Sequence, residues 1–448
     1  MMRTILDAAQ ALAAGTTTAR ALVEDCLARI ADPAGEGARA FITVHAAQAR
    51  AMADAADTLR KAGRAAPFAG IPISLKDLCD IAGEVTTAGS RVLADAPPAA
   101  AHAPVVARLL AAGFIPVGRT NMTEFAFSGL GINPHYGTPT SPWDRGSKRI
   151  PGGSSSGAGV SIADGMALGA LGTDTGGSCR IPAAFNGIVG YKPTARRVPI
   201  AGVVPLAASL DSIGPLANTV SCCATLDAVM ANQAPAPIVA MPLAGLRLAV
   251  PENFFLDGID PTVAAAFDRA LAALSAAGAR ISQIRLPVVD GIAAANAKGG
   301  FAAAEAYAWH RDLLERKAAG YDPRIRARIE RGARQSAADY IALLADRARL
   351  IEEANAATRA FDALLTPTTP IVAPRIADLE DEADYNRVNL LILRNCAVGN
   401  FLDRCSISLP CHRAGEAPVG LMLTGETMGD ARLFAIAAAV EAALQPLR

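Results

Sequence analysis

The stretch from Ile150 to Thr194 reads IPGGSSSGAGVSIADGMALGALGTDTGGSCRIPAAFNGIVGYKPT. Two serine-bearing glycine turns, GGSSSG and TDTGGS, flank a run of small apolar residues. Glycine is costly in conformational entropy, so a dense cluster signals a backbone that must turn sharply or approach something closely. Each turn presents a serine hydroxyl, and the second also offers a row of backbone N–H groups. Serine beside such a row is equipment for acyl transfer: the hydroxyl attacks a carbonyl and the N–H groups receive the oxyanion.

Outward from this block, helix and strand patterns alternate. TTARALVEDCLARI from 17 to 30 predicts an amphipathic helix capped by threonine, and 46 to 63 a second helix. FAGIPISL, ending at Leu75, predicts a buried strand. A helix over 104 to 112 leads into a strand at FIPVG. Further on, LRLAVPE, the helix 261 to 277 and ARISQIRLP form another strand–helix–strand unit. Residues 301 to 361 are strongly helical. FDALLTPTTP, SISLPC and PVGLMLTG read as strands, and 430 to 445 as a closing helix. There is no fixed-period repeat and no linker. The expectation is one α/β domain over 1–448, with its core at about 70–220 and a helical excursion at about 290–360.

Composition narrows the function. Of 448 residues, 52% are hydrophobic and 19% charged, which describes a globular, core-rich chain. Forty-two basic residues balance 42 acidic ones, so the overall charge invites neither nucleic acid nor an anionic membrane. Cys26, Cys79, Cys179, Cys222, Cys223, Cys396, Cys405 and Cys411 form no CxxC pair and no zinc-like spacing. They read as buried, reduced thiols of a cytoplasmic protein. In MMRTILDAAQALAAG, Asp7 and Gln10 interrupt the apolar run and argue against a signal peptide. No apolar run is long enough to predict a membrane span.

Lys76 ends the strand at PISLKDLCD. It either snorkels to the surface and pairs with Asp77 or Asp80, or it is desolvated and available as a base. GGSSSG lacks the GK[ST] of a phosphate loop. Gly153 to Gly157 fits the GxSxG elbow of α/β-hydrolases, but His310 and His412 have no distinctive setting and no HGGG motif occurs. Ser178 in TDTGGS is either a helix cap or a nucleophile. In the second case its N–H joins those of Thr175, Gly176 and Gly177 to form an oxyanion hole.

Taken together, these segments resemble the amidase signature family. The resemblance rests on GIPISLKD around Lys76, GRTNMTEFAFS at 118–128 and NPHYGTPTSPWD at 133–144. It continues through PGGSSSG at 151–157, GTDTGGSCRIPAAFNGIVGYKPT at 172–194, LLTPTTP near 364 and PVGLMLTG near 418. It implies an α/β/α sandwich around a mixed, mostly parallel sheet. It also implies a Ser–cis-Ser–Lys triad with Ser178 as nucleophile, Ser154 as bridge and Lys76 as base, the Gly153–Ser154 peptide being cis. Ser155, Asp174 and Arg180 match positions that brace the two turns. No metal or cofactor is implied.

The implied substrate is a small-molecule amide, aryl or aliphatic, with carbamate and ester bonds chemically open. Phe127, Ser128 and Gly129 are candidate pocket residues, followed by 200 to 212 and the helical region 300 to 345. Phe301, Tyr307, Trp309 and Tyr340 either line the pocket or pack helices together. The expected partners are the substrate alone, with no nucleic acid and no membrane, in a monomer or homodimer. The alternative is a catalytic subunit of a glutamine-dependent tRNA amidotransferase. PRIRARIERGAR at 323 to 334 carries five arginines, but it reads more simply as a solvated helix face.

Overall fold

A computed structural model describes residues 4–445; the first three residues of the N-terminal segment weighed above lie outside them. Eleven strands build one sheet. They are β1 Phe41–Val44, β2 Pro72–Lys76, β3 Ile115–Thr120, β4 Gly169–Asp174, β5 Val189–Lys192 and β6 Ser212–Ala217. The others are β7 Arg247–Pro251, β8 Arg280–Ile284, β9 Ala363–Pro367, β10 Ser406–Pro410 and β11 Gly420–Thr424. Their order is β1-β3-β2-β4-β6-β5-β10-β11-β9-β7-β8. The inner strands β2 to β6 and β9 to β11 are buried at every position, as a sheet covered on both faces requires. Only the edge strands β1 and β8 are substantially exposed.

The single α/β domain and mixed sheet agree with expectation, but the expected parallel majority is corrected. Six strand pairings are antiparallel and four are parallel. Connection chemistry explains the difference, because a parallel pair needs a long crossover. β2 reaches β3 across the helix Pro104–Ala111, and β7 reaches β8 across the helix Pro261–Ala276; both pairs are parallel. β10 and β11 are joined by a short loop and pair antiparallel. The helix–strand alternations read from sequence belong to these flanks and do not represent the centre.

The helix Ala19–Ala31 begins where the threonine cluster predicts, with the Thr18 side chain accepting from the Ala21 N–H at 3.1 Å. A helix the patterning had not suggested, Ile5–Ala13, buries Ile5, Ala8 and Leu12 and leaves Asp7 and Gln10 outside. No helix among the described residues is long and apolar enough to cross a membrane. No disulfide forms among the described residues, and all eight cysteines are buried.

Candidate active site

β2 and β4 lie side by side and parallel, with Leu75 opposite Leu171. Their C-terminal ends therefore bring Lys76 alongside Thr173 and Asp174. Successive strand residues point to opposite faces, so these last two side chains diverge. Thr173 Oγ1 accepts from Lys76 Nζ at 2.7 Å, while Asp174 turns toward Arg180. Lys76 Nζ also donates to Ser154 Oγ at 2.8 Å. The peptide entering Ser154 is cis.

Lys76 is fully buried and makes no ion pair among the described residues. The neighbouring acids are engaged elsewhere: Asp77 binds Arg119 at 2.5 Å, and Asp80 accepts from Thr86 at 2.7 Å. Desolvation by burial brings the Lys76 pKa down to about 8. Lys192 is also buried and also brought down to about 8, again by burial first. Their partners differ. Lys192 Nζ faces two carbonyl oxygens, of Pro193 and Arg404, at 2.8 Å each. Carbonyls only accept, so they favour the ammonium. Lys76 faces two hydroxyls, which can also donate to a neutral amine.

A carboxylate shapes the second glycine turn from behind. Asp174 accepts from the Gly177 N–H at 2.8 Å, the Cys179 N–H at 3.0 Å and Asn400 Nδ2 at 2.9 Å. Arg180 reaches it with Nε at 3.0 Å and Nη2 at 2.8 Å, both side chains being fully buried. Burial opposes the Asp174 charge, but the Arg180 charge and these donors hold its carboxyl below the usual range. Gly177 therefore turns its N–H toward Asp174 and not toward the cavity. The N–H groups of Gly176 and Ser178 take no acceptor among the described residues. Gly177 has φ +131, and a Cβ there would lie 2.6 Å from Cys396 Cβ and Ile181 Cδ1, so only glycine fits. Thr175 Oγ1 donates to Asp211 Oδ1 at 2.5 Å.

The two serine turns are tied together. The Ser155 N–H donates to the Ser178 carbonyl at 3.4 Å, and Ser155 Oγ donates to the Thr173 carbonyl at 3.3 Å. Ser178 Oγ itself takes no hydrogen-bond partner among the described residues. It opens onto a cavity of about 750 Å³ whose apolar walls include Leu206, Phe301, Leu393 and Phe401. That volume suits a small molecule.

Phe127 and Ser128 line this cavity. Gly129 stands behind it: its carbonyl accepts from the Gly153 N–H at 2.7 Å, and its own N–H donates to Asn389 at 2.8 Å. Among the aromatic candidates, Phe301 is a wall. Tyr340 packs against Phe301, Trp309 against Phe125 and His310, and Tyr307 against an apolar cluster around Phe125. His310 bonds the Tyr321 hydroxyl at 2.9 Å, and burial lowers its pKa to about 3. Ser155, the serine of the GxSxG match, donates to the Thr173 carbonyl and bonds no histidine among the described residues, which removes the hydrolase-elbow reading.

A model of the amidase family matches residues 21–434. The chain belongs to the amidase family. It is thus a hydrolase acting on amide C–N bonds. One relative, 2-amino-5-chloromuconic acid deaminase of Comamonas testosteroni, is 41% identical over 90% of this chain and 88% of its own. A glutamyl-tRNA(Gln) amidotransferase subunit of Symbiobacterium thermophilum is 35% identical over 95% of this chain and 93% of its own. A solved structure described as an amidase superimposes with a TM-score of 0.89 at 31% identity, covering 98% of this chain and 99% of the other.

Sequence reasoning missed several residues at this site. Thr173, Asp211, Asn389 and Asn400 were not singled out. Asn389 and Asn400 lie on the helix Glu382–Phe401, which was not anticipated either. Thr173 could have been found, because it adjoins Asp174 on a strand aimed at the site. The asparagines could not, since their partners lie more than 200 residues away in the chain.

Proposed function

We propose that the protein hydrolyses a small-molecule amide through an acyl-enzyme on Ser178. The carrying observation is a fully buried lysine, with its pKa near 8, bonded at 2.8 Å to a serine hydroxyl beside the Ser178 cavity. Neutral Lys76 accepts a proton by way of Ser154 as Ser178 attacks the amide carbonyl. The oxyanion forms against the N–H groups of Gly176 and Ser178, with Thr175 alongside. Ser154 then returns a proton to the departing amine, and water enters to release the acid. Ser155, Asp174 and Arg180 hold the two loops in register for this transfer. In this scheme no metal or cofactor takes part, and the chain works alone as a monomer or homodimer. A carbamate or ester meets the same chemical requirement, because each offers a carbonyl and a leaving group.

The test is a panel of amides, anilides, esters and carbamates run on native protein, Ser178→Ala and Lys76→Ala. Turnover by native protein and none by either variant is expected. Unchanged turnover by Ser178→Ala would remove the acyl-enzyme. The identity to a glutamyl-tRNA(Gln) amidotransferase subunit gives a second reading, a chain that depends on partner proteins. Turnover by the purified chain alone argues against that reading.

A further inference from the structure

The cavity above Ser178 is electrostatically one-sided. Among the described residues, Lys298, Arg328, Arg331, Arg334 and Arg394 line it, and no aspartate or glutamate does. The whole chain balances 42 basic residues with 42 acidic ones, so the asymmetry is local. Two of the five are already engaged. Lys298 pairs with Asp339 at 2.5 Å, and Arg394 donates to the backbone carbonyls of Asp257 and Phe255.

Arg328, Arg331 and Arg334 are different. They recur every three residues along the helix Pro323–Glu330 and the tight turn Arg331–Arg334 that continues it. In a 3₁₀ turn residues three apart eclipse, so the three side chains share one edge. The other arginines of this stretch face elsewhere: Arg324 pairs with Asp322 at 2.8 Å and Arg326 with Glu330 at 3.4 Å. Arg328 is buried, and both of its bonds go to neutral acceptors. Nη1 donates to the Phe127 carbonyl at 3.0 Å and Nη2 to Asn386 Oδ1 at 2.9 Å. Its guanidinium lies 5.3 Å from the Tyr385 ring centroid. Burial pushes the Arg328 guanidinium below its ordinary pKa; Arg331 and Arg324 push the same way, while Tyr385 and Asp322 oppose them. Arg331 and Arg334 are exposed at the cavity edge and have no side-chain partner among the described residues.

A buried cation without a carboxylate partner is costly to fold, and a bound carboxylate would offset that cost. We propose that this edge binds a carboxylate of the substrate. The preferred amide is then an anion, such as the monoamide of a dicarboxylic acid. Its carbonyl lies over Ser178, its chain against the apolar wall, and its carboxylate on Arg328, Arg331 and Arg334. This rests on the amide hydrolysis proposed above and adds the chemical class of the substrate. Arg328 also links the charge to the chemistry, since the carbonyl it holds belongs to Phe127 in the cavity wall.

The experiment compares monoamides of dicarboxylic acids, from malonamate to adipamate, with neutral amides of matching length. At the best length, kcat/KM should favour the anion by about tenfold to a hundredfold, the span of a charge-assisted hydrogen bond. In Arg331→Gln/Arg334→Gln, two exposed positions that leave the core intact, that ratio should fall toward one, mainly through KM. Arg328→Met should do the same, and Arg328→Lys should recover part of the preference. A ratio near one in native protein overturns the proposal, as does a ratio the variants do not change. A separate arm titrates dicarboxylates, succinate to adipate, into Ser178→Ala by calorimetry. Binding that weakens with salt and in the double variant supports the subsite even where no amide turns over, in which case the hydrolysis reading alone fails. Absence of binding by every dicarboxylate overturns the subsite. Binding of tRNA that the double variant loses, with the carboxylate preference unmoved, overturns it too.

Discussion

Replacing Thr173 by valine removes one hydroxyl from Lys76 while keeping the side-chain shape. In the native site the lysine nitrogen bonds Thr173 Oγ1 at 2.7 Å and Ser154 Oγ at 2.8 Å, and burial holds its pKa at about 8. A hydrogen bond to a charged group contributes about 1.5–3 kcal/mol and a neutral one about 0.5–1.5 kcal/mol. The hydroxyl thus favours the ammonium over the amine by about 1 kcal/mol, close to one pH unit of titration. Without it the ammonium is less stable, so the pKa falls further. The neutral fraction at pH 7, about a tenth in native protein, should rise to about a half in the variant. The assay is kcat/KM against pH, which reports the free enzyme. Native protein should gain activity as pH rises through about 8. The Thr173→Val midpoint should lie about one pH unit lower, even where the plateau is reduced. A midpoint that stays in place or moves up would refute the lysine as the titrating base. A native profile governed by a carboxylate in the acid range would do the same.

Two further outcomes follow from burial and charge. Lys76→Met should abolish turnover and yet raise the melting temperature at pH 7. The folded pKa of about 8 lies below the ordinary 10.5, so burying the ammonium costs about 3 kcal/mol below pH 8. The unfolded chain binds the extra proton between those values, so the penalty fades as pH rises from 8 toward 10.5. The melting advantage of Lys76→Met should fade over the same window, and a variant less stable than native at pH 7 would contradict the depressed pKa. Asp174→Asn should destabilise by about 3–5 kcal/mol and lower kcat, because it strands the fully buried Arg180 charge and loosens the Gly177–Cys179 backbone. The Asp174 contribution is complete above the ordinary carboxylate range and disappears only as pH falls through its lowered folded value. Urea titrations at several pH values measure this, and a native-like midpoint for Asp174→Asn would refute it.

Much of the fold was legible because burial leaves a local trace. β7, β9, β10 and β11 sit where apolar runs end in glycine or proline, β2 sits in the apolar run that follows Gly70, and the terminal helix Asp430–Leu444 falls where its pattern predicts. The helix Glu382–Phe401 was not legible. It buries Asn389, Asn395 and Asn400 along with Val388 and Ile392, and these polar residues break the apolar stripe that reveals an amphipathic helix. Asn389 meets the loop at Ser128, Asn395 the carbonyls of Phe255 and Pro367, and Asn400 the carboxylate of Asp174 at the end of β4, partners that no local pattern records. The arginines of 323 to 334 show the same limit. Their sequence reads as a solvated face, and for Arg324 and Arg326 ion pairing fits that description. Their three companions line a cavity instead.

By itself the sequence picked out the residues proposed here to carry the chemistry: two serines 24 positions apart in glycine turns, and a lysine at the end of a buried strand. Glycine and serine in that order reflect a local need for tight backbone and free hydroxyls, and local needs are written locally. Only the tertiary structure decided what each group faces. It placed two hydroxyls on Lys76 where Lys192 has two carbonyls, and it turned the Gly177 N–H back onto Asp174. It also gathered a basic edge over Ser178 from a segment some 150 residues downstream. Protonation, donor direction and electrostatic sign depend on distance and burial, and these exist only once the chain has folded.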